Sequence, residues 1–264
     1  ASAGAMLLAT AAFQVEAKVS QAEADKLGTS LTKIGANPKG NADGSIPAFT
    51  GTTLGAPSHV NYKGTGTYYP NPYPNEKPLF VIAGQNWKKY EANLTEGQKA
   101  LFQKYPSTFK MKVFPSKRDT RYSDTLYSNV KRNAVTGELA PEGLGTRNAK
   151  GGTPFPIPQN ALEMVWNHQF SPNIWMTEGV VASGAVFNNG SIAMRKQFES
   201  RYFTVFDEQL DQEQFAKTGL VAAVLVEVTD PPREKGKVTL VHEFQDLSQL
   251  PRNAWQYLPG ARRV

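Results

Sequence analysis

Residues 151–168, GGTPFPIPQNALEMVWNH, constrain the fold of this chain more than any other stretch. Pro154, Pro156 and Pro158 each fix their own φ and push the preceding residue toward extended backbone, so Phe155 and Ile157 are held on a stiff strut. Asn160 then caps a predicted helix carrying Leu162, Val165, Trp166 and Phe170 on one side. The strut therefore meets the helix at a fixed angle. Two readings of these residues stand side by side: a rigid connector packed on the core, since aromatics at helical spacing are mostly core, or a lid at the mouth of a binding site.

The ends of the chain set its class. Residues 5–13 (AMLLATAAF) form an apolar run too short to span a membrane, followed by Val15-Glu16-Ala17, a cleavage site of the small-x-small type. Residues 1–17 are therefore expected to be the remainder of a signal peptide, with Lys18 first in the mature chain and residues 18–264 forming one domain. No cysteine follows the apolar run, so no lipid-attachment residue is present, and disulfides, thiolate zinc sites and a cysteine nucleophile are excluded. The expected location is the periplasm. A content of 40% hydrophobic and 11% aromatic residues suffices for a large core at 264 residues.

Charge narrows the partners. The chain has 29 basic and 23 acidic residues; losing Glu16 with the signal leaves 29 against 22, or +7. The basic residues are scattered, with the densest spots at Lys110, Lys112, Lys117, Arg118 and Arg121, at Lys131 and Arg132, and at Arg262 and Arg263. This pattern favours anionic surfaces such as lipid headgroups and argues against nucleic acid, which needs its charge gathered in one patch.

Local signals place the elements. Ser20 and Glu23 make a capping box for a short helix ending near Leu27-Gly28, and residues 37–78 carry the Gly, Pro, Asn and Thr density of ordered turns. A helix is expected from Thr95 to Pro106 with Leu94, Gln98, Leu101, Phe102 and Tyr105 inward, then a strand alternating Phe109, Met111 and Val113. Residues 121–133 predict a second helix and residues 135–139 a short strand. The second half reads as sheet: residues 176–187 and 191–206 as a hairpin around Asn188-Asn189-Gly190, residues 220–229 as an apolar strand, residues 237–244 as an alternating one, and residues 255–264 as the last. Apolar side chains on both sides of residues 220–228 fit either helices on both faces or one face turned to a ligand.

Reactive chemistry is scarce. His59, His168 and His242 lack metal-type spacing, so no metal is expected; His168 is assigned to a helix C-terminus and His242 to the parity of Leu240 and Phe244. No Gly-x-Ser-x-Gly elbow or phosphate-cradling glycine loop occurs. Asp207, Glu208, Asp211 and Glu213 read as a solvated turn and helix start, and residues 41–45 (NADGS) as a turn rather than a calcium loop. A hydrolase or lyase would need an acid and a base converging on His168 or His242. No enzyme activity and no cofactor are expected.

Four stretches carry a resemblance: the proline strut, GNADGSIPAFTG at residues 40–51, FKMKVFPSKRDTRYSDTLYSNVKRNA at residues 109–134, and the ending AWQYLPGARRV at residues 254–264. Taken in order they resemble the DUF1329 family, described as outer-membrane lipoprotein-sorting-like and similar to LolA/LolB-type periplasmic carriers. The resemblance implies an α+β fold: a strongly curved antiparallel sheet, an open or half barrel, with helices covering its apolar concave face. It also implies that the family continues beyond the last residue, so the chain reads as a fragment or a short member with an unpaired sheet edge. The resulting expectation is a carrier or chaperone for a lipid, a lipoprotein acyl chain or a sterol-like compound in an apolar cavity. Phe155, Ile157, Trp166 and Phe170 would form its lid, and Leu225, Leu240, Phe244, Trp255 and Tyr257 its lining. Partition suffices as mechanism, at about 0.8 kcal/mol per buried methylene. Handover to a membrane partner, an exporter of the resistance-nodulation-division type, is implied by the same resemblance. The competing expectation is an envelope scaffold whose own side chains fill that space.

Overall fold

Turn chemistry sets the largest element. Gly190, at φ +81°, closes the turn between β5 (Met176–Val186) and β6 (Ile192–Tyr202), and Asn189 Oδ1 accepts from the Ser191 amide at 3.0 Å. The computed structural model describes residues 19–52, 55–172 and 174–263, so the expected signal segment at residues 1–17 lies outside the described residues. These divide into two compact units, residues 38–121 forming one and the described residues up to 37 with those from 122 onward forming the other.

The unit of residues 38–121 has a small core. β1 (Phe80–Ala83) pairs antiparallel with β2 (Lys110–Val113), and α2 (Glu96–Lys104) starts at a complete Thr95/Gln98 capping box. Ile82, Trp87, Leu94 and Phe102 are buried together with Phe109, Met111 and Val113 packed against them. Leu101 and Tyr105 are exposed, contrary to the predicted inward stripe, and the buried residue of α2 is Phe102, stacked on Trp87 and edge-on to Phe109. The irregular residues before β1 are tied to those after β2: Tyr73 hydrogen-bonds Asp119, Lys117 pairs with Glu76, and the Arg118 guanidinium donates to the Pro38 and Lys39 carbonyls at 3.3 Å. The 41–45 segment is a turn in which Asp43 accepts from the Ser45 amide at 2.9 Å.

In the other unit, α1 (Gln21–Ala24) is capped by Ser20 and packs on α3 (Asp124–Thr136), burying Ala24, Leu27, Val130 and Ala134. Ser123 is the cap of α3, so the helix begins after the expected Arg121, and it runs on through Val135. That leaves only β3 (Glu138–Leu139) as strand, paired with β4 (Thr146–Arg147). The following residues, 149–156, are buried except for Thr153, though they belong to no helix or strand. Asn133 on α3, itself fully buried, donates to the Lys150 and Thr153 carbonyls at 3.2 and 3.3 Å, and Lys150 Nζ donates to the Asp207 carbonyl at 2.7 Å. A Cβ on Gly35 would sit 1.8 Å from the Pro156 carbonyl oxygen, so only glycine lets residue 35 lie against the strut.

The helix after the strut, α4 (Ala161–Gln169), is capped by Asn160 as expected, and His168 lies in its last turn. Its buried residue is Glu163; Leu162 and Val165 are about half exposed, which corrects the predicted stripe. Glu163 turns back over the helix start, where its carboxylate accepts from the Gln159 amide at 2.6 Å and the Asn160 side-chain amide at 2.8 Å. Contact at the two ends of α4 therefore leaves its middle facing water. α5 (Gln212–Thr218) has an Asp211/Gln214 capping box and ends at Gly219 with φ +58°. Asp207 is buried, not solvated as expected, because Tyr202 OH donates to it at 2.6 Å and the Gln209 amide at 2.8 Å.

β5, β6, β7 (Leu220–Asp230), β8 (Val238–Phe244) and β9 (Asn253–Tyr257) form one antiparallel sheet in chain order. It is open, since β5 and β9 end the order. β9 starts earlier than expected and stops at Tyr257, where a turn pairs Leu258 with Arg263. The β7–β8 register slips between Leu220 and Ala222, making Val221 the extra residue of a bulge. Val221 packs against Phe170, Val205, Phe206 and Phe215, a cluster joined by Trp166 and Phe203. The fold is thus mixed α and β, with one five-stranded antiparallel sheet among the described residues.

Candidate functional site

Antiparallel partners share a face, so the register assigns every side chain of the sheet to one of two sides. Leu225 lies opposite Leu240, and Leu240 opposite Trp255, an uninterrupted row across β7, β8 and β9. One step along, Val238 lies opposite Tyr257; one step the other way, Ala223 and Asn253 flank His242. Phe244 shares the parity of His242 and Leu240 and lies opposite Leu220. Leu225, Leu240, Phe244, Trp255 and Tyr257 therefore stand on one face of one sheet.

Through β6 and β5 the same face continues with Phe198, Val180, Met194, Ile192 and Val186, and it also carries Glu227, Ser200 and Lys196. Gly184 makes this continuity possible: a Cβ there would meet Met194 Sδ at 2.8 Å and Ile192 Cγ2 at 3.1 Å, so its absence lets both side chains lie across β5. Aromatic contacts join the far end, where the His242 ring stands edge-on to Trp255 at 5.1 Å and to Phe244 at 6.4 Å between centroids.

This face is mostly apolar and poorly covered. Leu225, Leu240 and Phe244 are half-buried, while Trp255 keeps 42% of its surface exposed and Val186 72%. Burying one large apolar side chain stabilises by about 1.5–3 kcal/mol, so a row of them left open is a standing drive to acquire a cover. The opposite face is more polar: Gln256 donates to Thr239 at 3.3 Å, Arg252 pairs with Glu243 at 3.0 Å, and Arg201 pairs with Glu199. Val224, Val226, Val228 and Val241 also stand on that opposite face, where Ala222 and Val228 are buried.

The four expected lid residues occupy other places. Phe155 is buried, its amide donating to Asn167 Oδ1 at 2.9 Å and its carbonyl accepting from Asn167 Nδ2 at 2.7 Å. Ile157 is half-buried against the Ala24, Leu27 and Val130 cluster. Trp166 donates its indole N–H to the Gly143 carbonyl at 3.0 Å and stacks at a tilt on buried Phe170, 6.0 Å between centroids. Ile157 joins one cluster and Trp166 with Phe170 another, with Phe155 in neither, whereas the five lining residues share one surface.

Ionisable groups stand on that face as well, Glu227 opposite Phe198 and Val238 and Tyr202 opposite Ala223, and others lie around the strut. Burial holds Lys150 below the usual lysine range, opposed by the charge of Asp207, and burial raises Glu163 against hydrogen bonds from Gln159 and Asn160. The hydrogen bond to Asp207 pushes Tyr202 up to about 12. Among the described residues no group of three or more His, Cys, Asp or Glu side chains is placed to hold a metal, and no helix is long and apolar enough to cross a membrane. Sequence reasoning missed the contribution of Phe198, Val180, Val186, Ile192 and Met194 to the apolar face. Counting in twos from the Asn-Gly turn would have found them.

Comparison with known proteins gives a family and one relative. Residues 81–264 match the family described as a protein of unknown function, DUF1329. Uncharacterized protein PA3922 of Pseudomonas aeruginosa is 39% identical over 261 residues, covering 99% of this chain and 56% of that protein, so the chain spans about half the length of this relative. No solved structure matches the chain.

Proposed function

The chain belongs to the DUF1329 family, and we propose that it is a carrier or chaperone that holds a hydrophobic molecule against the apolar face of its five-stranded sheet. The observation that supports this best is the Leu225–Leu240–Trp255 row, flanked by Val238, Tyr257 and Phe244, standing half open to water. The bound molecule is a lipid, a lipoprotein acyl chain or a sterol-like compound. Binding is by partition, with the Ser200 side chain opposite Leu225 and with His242 and the Tyr257 hydroxyl as further polar groups beside the row. The sheet bends around its guest in the manner of LolA/LolB-like carriers, in the periplasm, and passes it to a membrane partner such as an exporter of the resistance-nodulation-division type. The chemistry is non-covalent, and no enzyme step is part of it.

Native mass spectrometry of the chain purified from cells, followed by lipid extraction, tests the reading. The expected result is a bound apolar mass that Leu240→Asp abolishes while the far-ultraviolet circular dichroism stays unchanged. A chain that is repeatedly empty, and that fails to take up added fatty acid as followed by tryptophan emission, overturns it in favour of an envelope scaffold.

A further inference from the structure

β5 and β6 pair with each other farther than β6 pairs with β7. The first ladder runs on to Val186 opposite Ile192, while the second ends at Lys196 opposite Asp230. Residues 183–195 thus form a two-stranded arm with no third strand beside it among the described residues, since β5 is also the edge of the sheet. The arm is ordered by its own bonds: the Phe187 amide donates to the Ser191 carbonyl and the Gly190 amide to the Phe187 carbonyl, both at 2.9 Å.

Two properties of the arm point the same way. Its end is apolar and open, with Val186, Phe187 and Ile192 each more than half exposed and Met194 nearly so. Residues 179–198 contain no Asp or Glu, and Arg195 and Lys196 stand at the base of the arm. Apolar side chains at a tip with cations set behind them suit a surface that is greasy below and negatively charged above.

We infer that the β5–β6 arm docks on an anionic lipid bilayer, with Val186, Phe187 and Ile192 entering the headgroup region and Arg195 and Lys196 meeting lipid phosphates. The use this gives the arm, bringing the carrying face to its membrane, rests on the function proposed above, whereas docking is measured without any cargo. Flotation of the purified chain with phosphatidylcholine vesicles, with and without phosphatidylglycerol, tests it. The chain is expected to float with the anionic vesicles, and less so as salt is raised. Phe187→Asp lowers that partition at least about tenfold, and Arg195→Gln about fivefold for its one charge. Both variants keep any bound apolar mass in native mass spectrometry, which separates a failure of docking from a failure of carriage. Flotation that is absent from both vesicle types, or unchanged in both variants, overturns the inference. So does a dimer in solution that Phe187→Asp dissolves.

Discussion

Residues 149–156 have no regular secondary structure and are buried at every position but Thr153, whereas β9 belongs to a five-stranded ladder and is exposed at every position. Burial and regularity have come apart. A buried irregular segment must find a partner for each backbone group, and here side chains supply many of them: Asn133 serves Lys150 and Thr153, and Asn167 serves both the amide and the carbonyl of Phe155. A sheet settles its backbone internally, so its faces are free to stay uncovered. The difference separates what holds this unit together from the surface it offers to something else.

The sharpest way to break that contrast is to truncate one aromatic on each side of it. Phe155→Ala is expected to cost about 4 kcal/mol of stability in urea unfolding, and Trp255→Ala about 1 kcal/mol or less. Equal losses would make the sheet face part of the core and remove the basis for carriage. Tyr202→Phe removes the hydrogen bond to Asp207, a loss of about 1 kcal/mol for a partly exposed donor, followed by the same unfolding midpoint. Its pH signature has a definite sign. The folded value of about 12 lies above the ordinary tyrosine value, so this contribution is complete below about pH 10 and disappears as pH rises through 12. Wild type and Tyr202→Phe should therefore converge in alkali; curves that stay parallel would assign Tyr202 no bond that matters.

The smallest effect expected is at Glu163. Burial raises its carboxyl above the ordinary range, so the folded state holds that proton more tightly and this group's contribution grows as pH falls toward the unfolded value. Wild type should gain on Glu163→Gln, by under about 1 kcal/mol, between pH 7 and pH 5. A stability difference independent of pH over that interval would mean the carboxylate reaches water.

Local chemistry in the sequence was a good guide wherever a single short-range interaction decides the outcome. Asn160, Thr95 and Ser20 mark helix starts because each needs only an amide three residues on, and Asn189-Gly190 marks the hairpin because the turn needs a positive φ. Strand parity then puts Leu225, Leu240, Phe244, Trp255 and Tyr257 on one side, as a list of candidates from one surface requires. What escaped depends on distant partners. Nothing near Lys150 or Asp207 in sequence announces that they meet across 57 residues, so Asp207 reads as a solvated turn until Tyr202 and Lys150 are placed around it. Leu162 and Val165 fit a helical stripe, yet a stripe is buried only where a distant neighbour covers it, and both stay about half exposed. The overhang of β5 and β6 beyond β7 is equally silent, because it depends on where a second ladder stops.

The extra residue at Val221 is a hinge between two loyalties. Because two positions of β7 answer to one of β8 there, Val221 leaves the ladder to join Phe170, Val205 and Phe215, while Leu220 and Ala222 keep their own partners. Excising that single codon would straighten the ladder without transposing any side chain from one surface to the other, and would withdraw only the valine from its aromatic companions. The helical end and the greasy row can accordingly drift independently over generations, since an edit that loosens the first leaves the second in register.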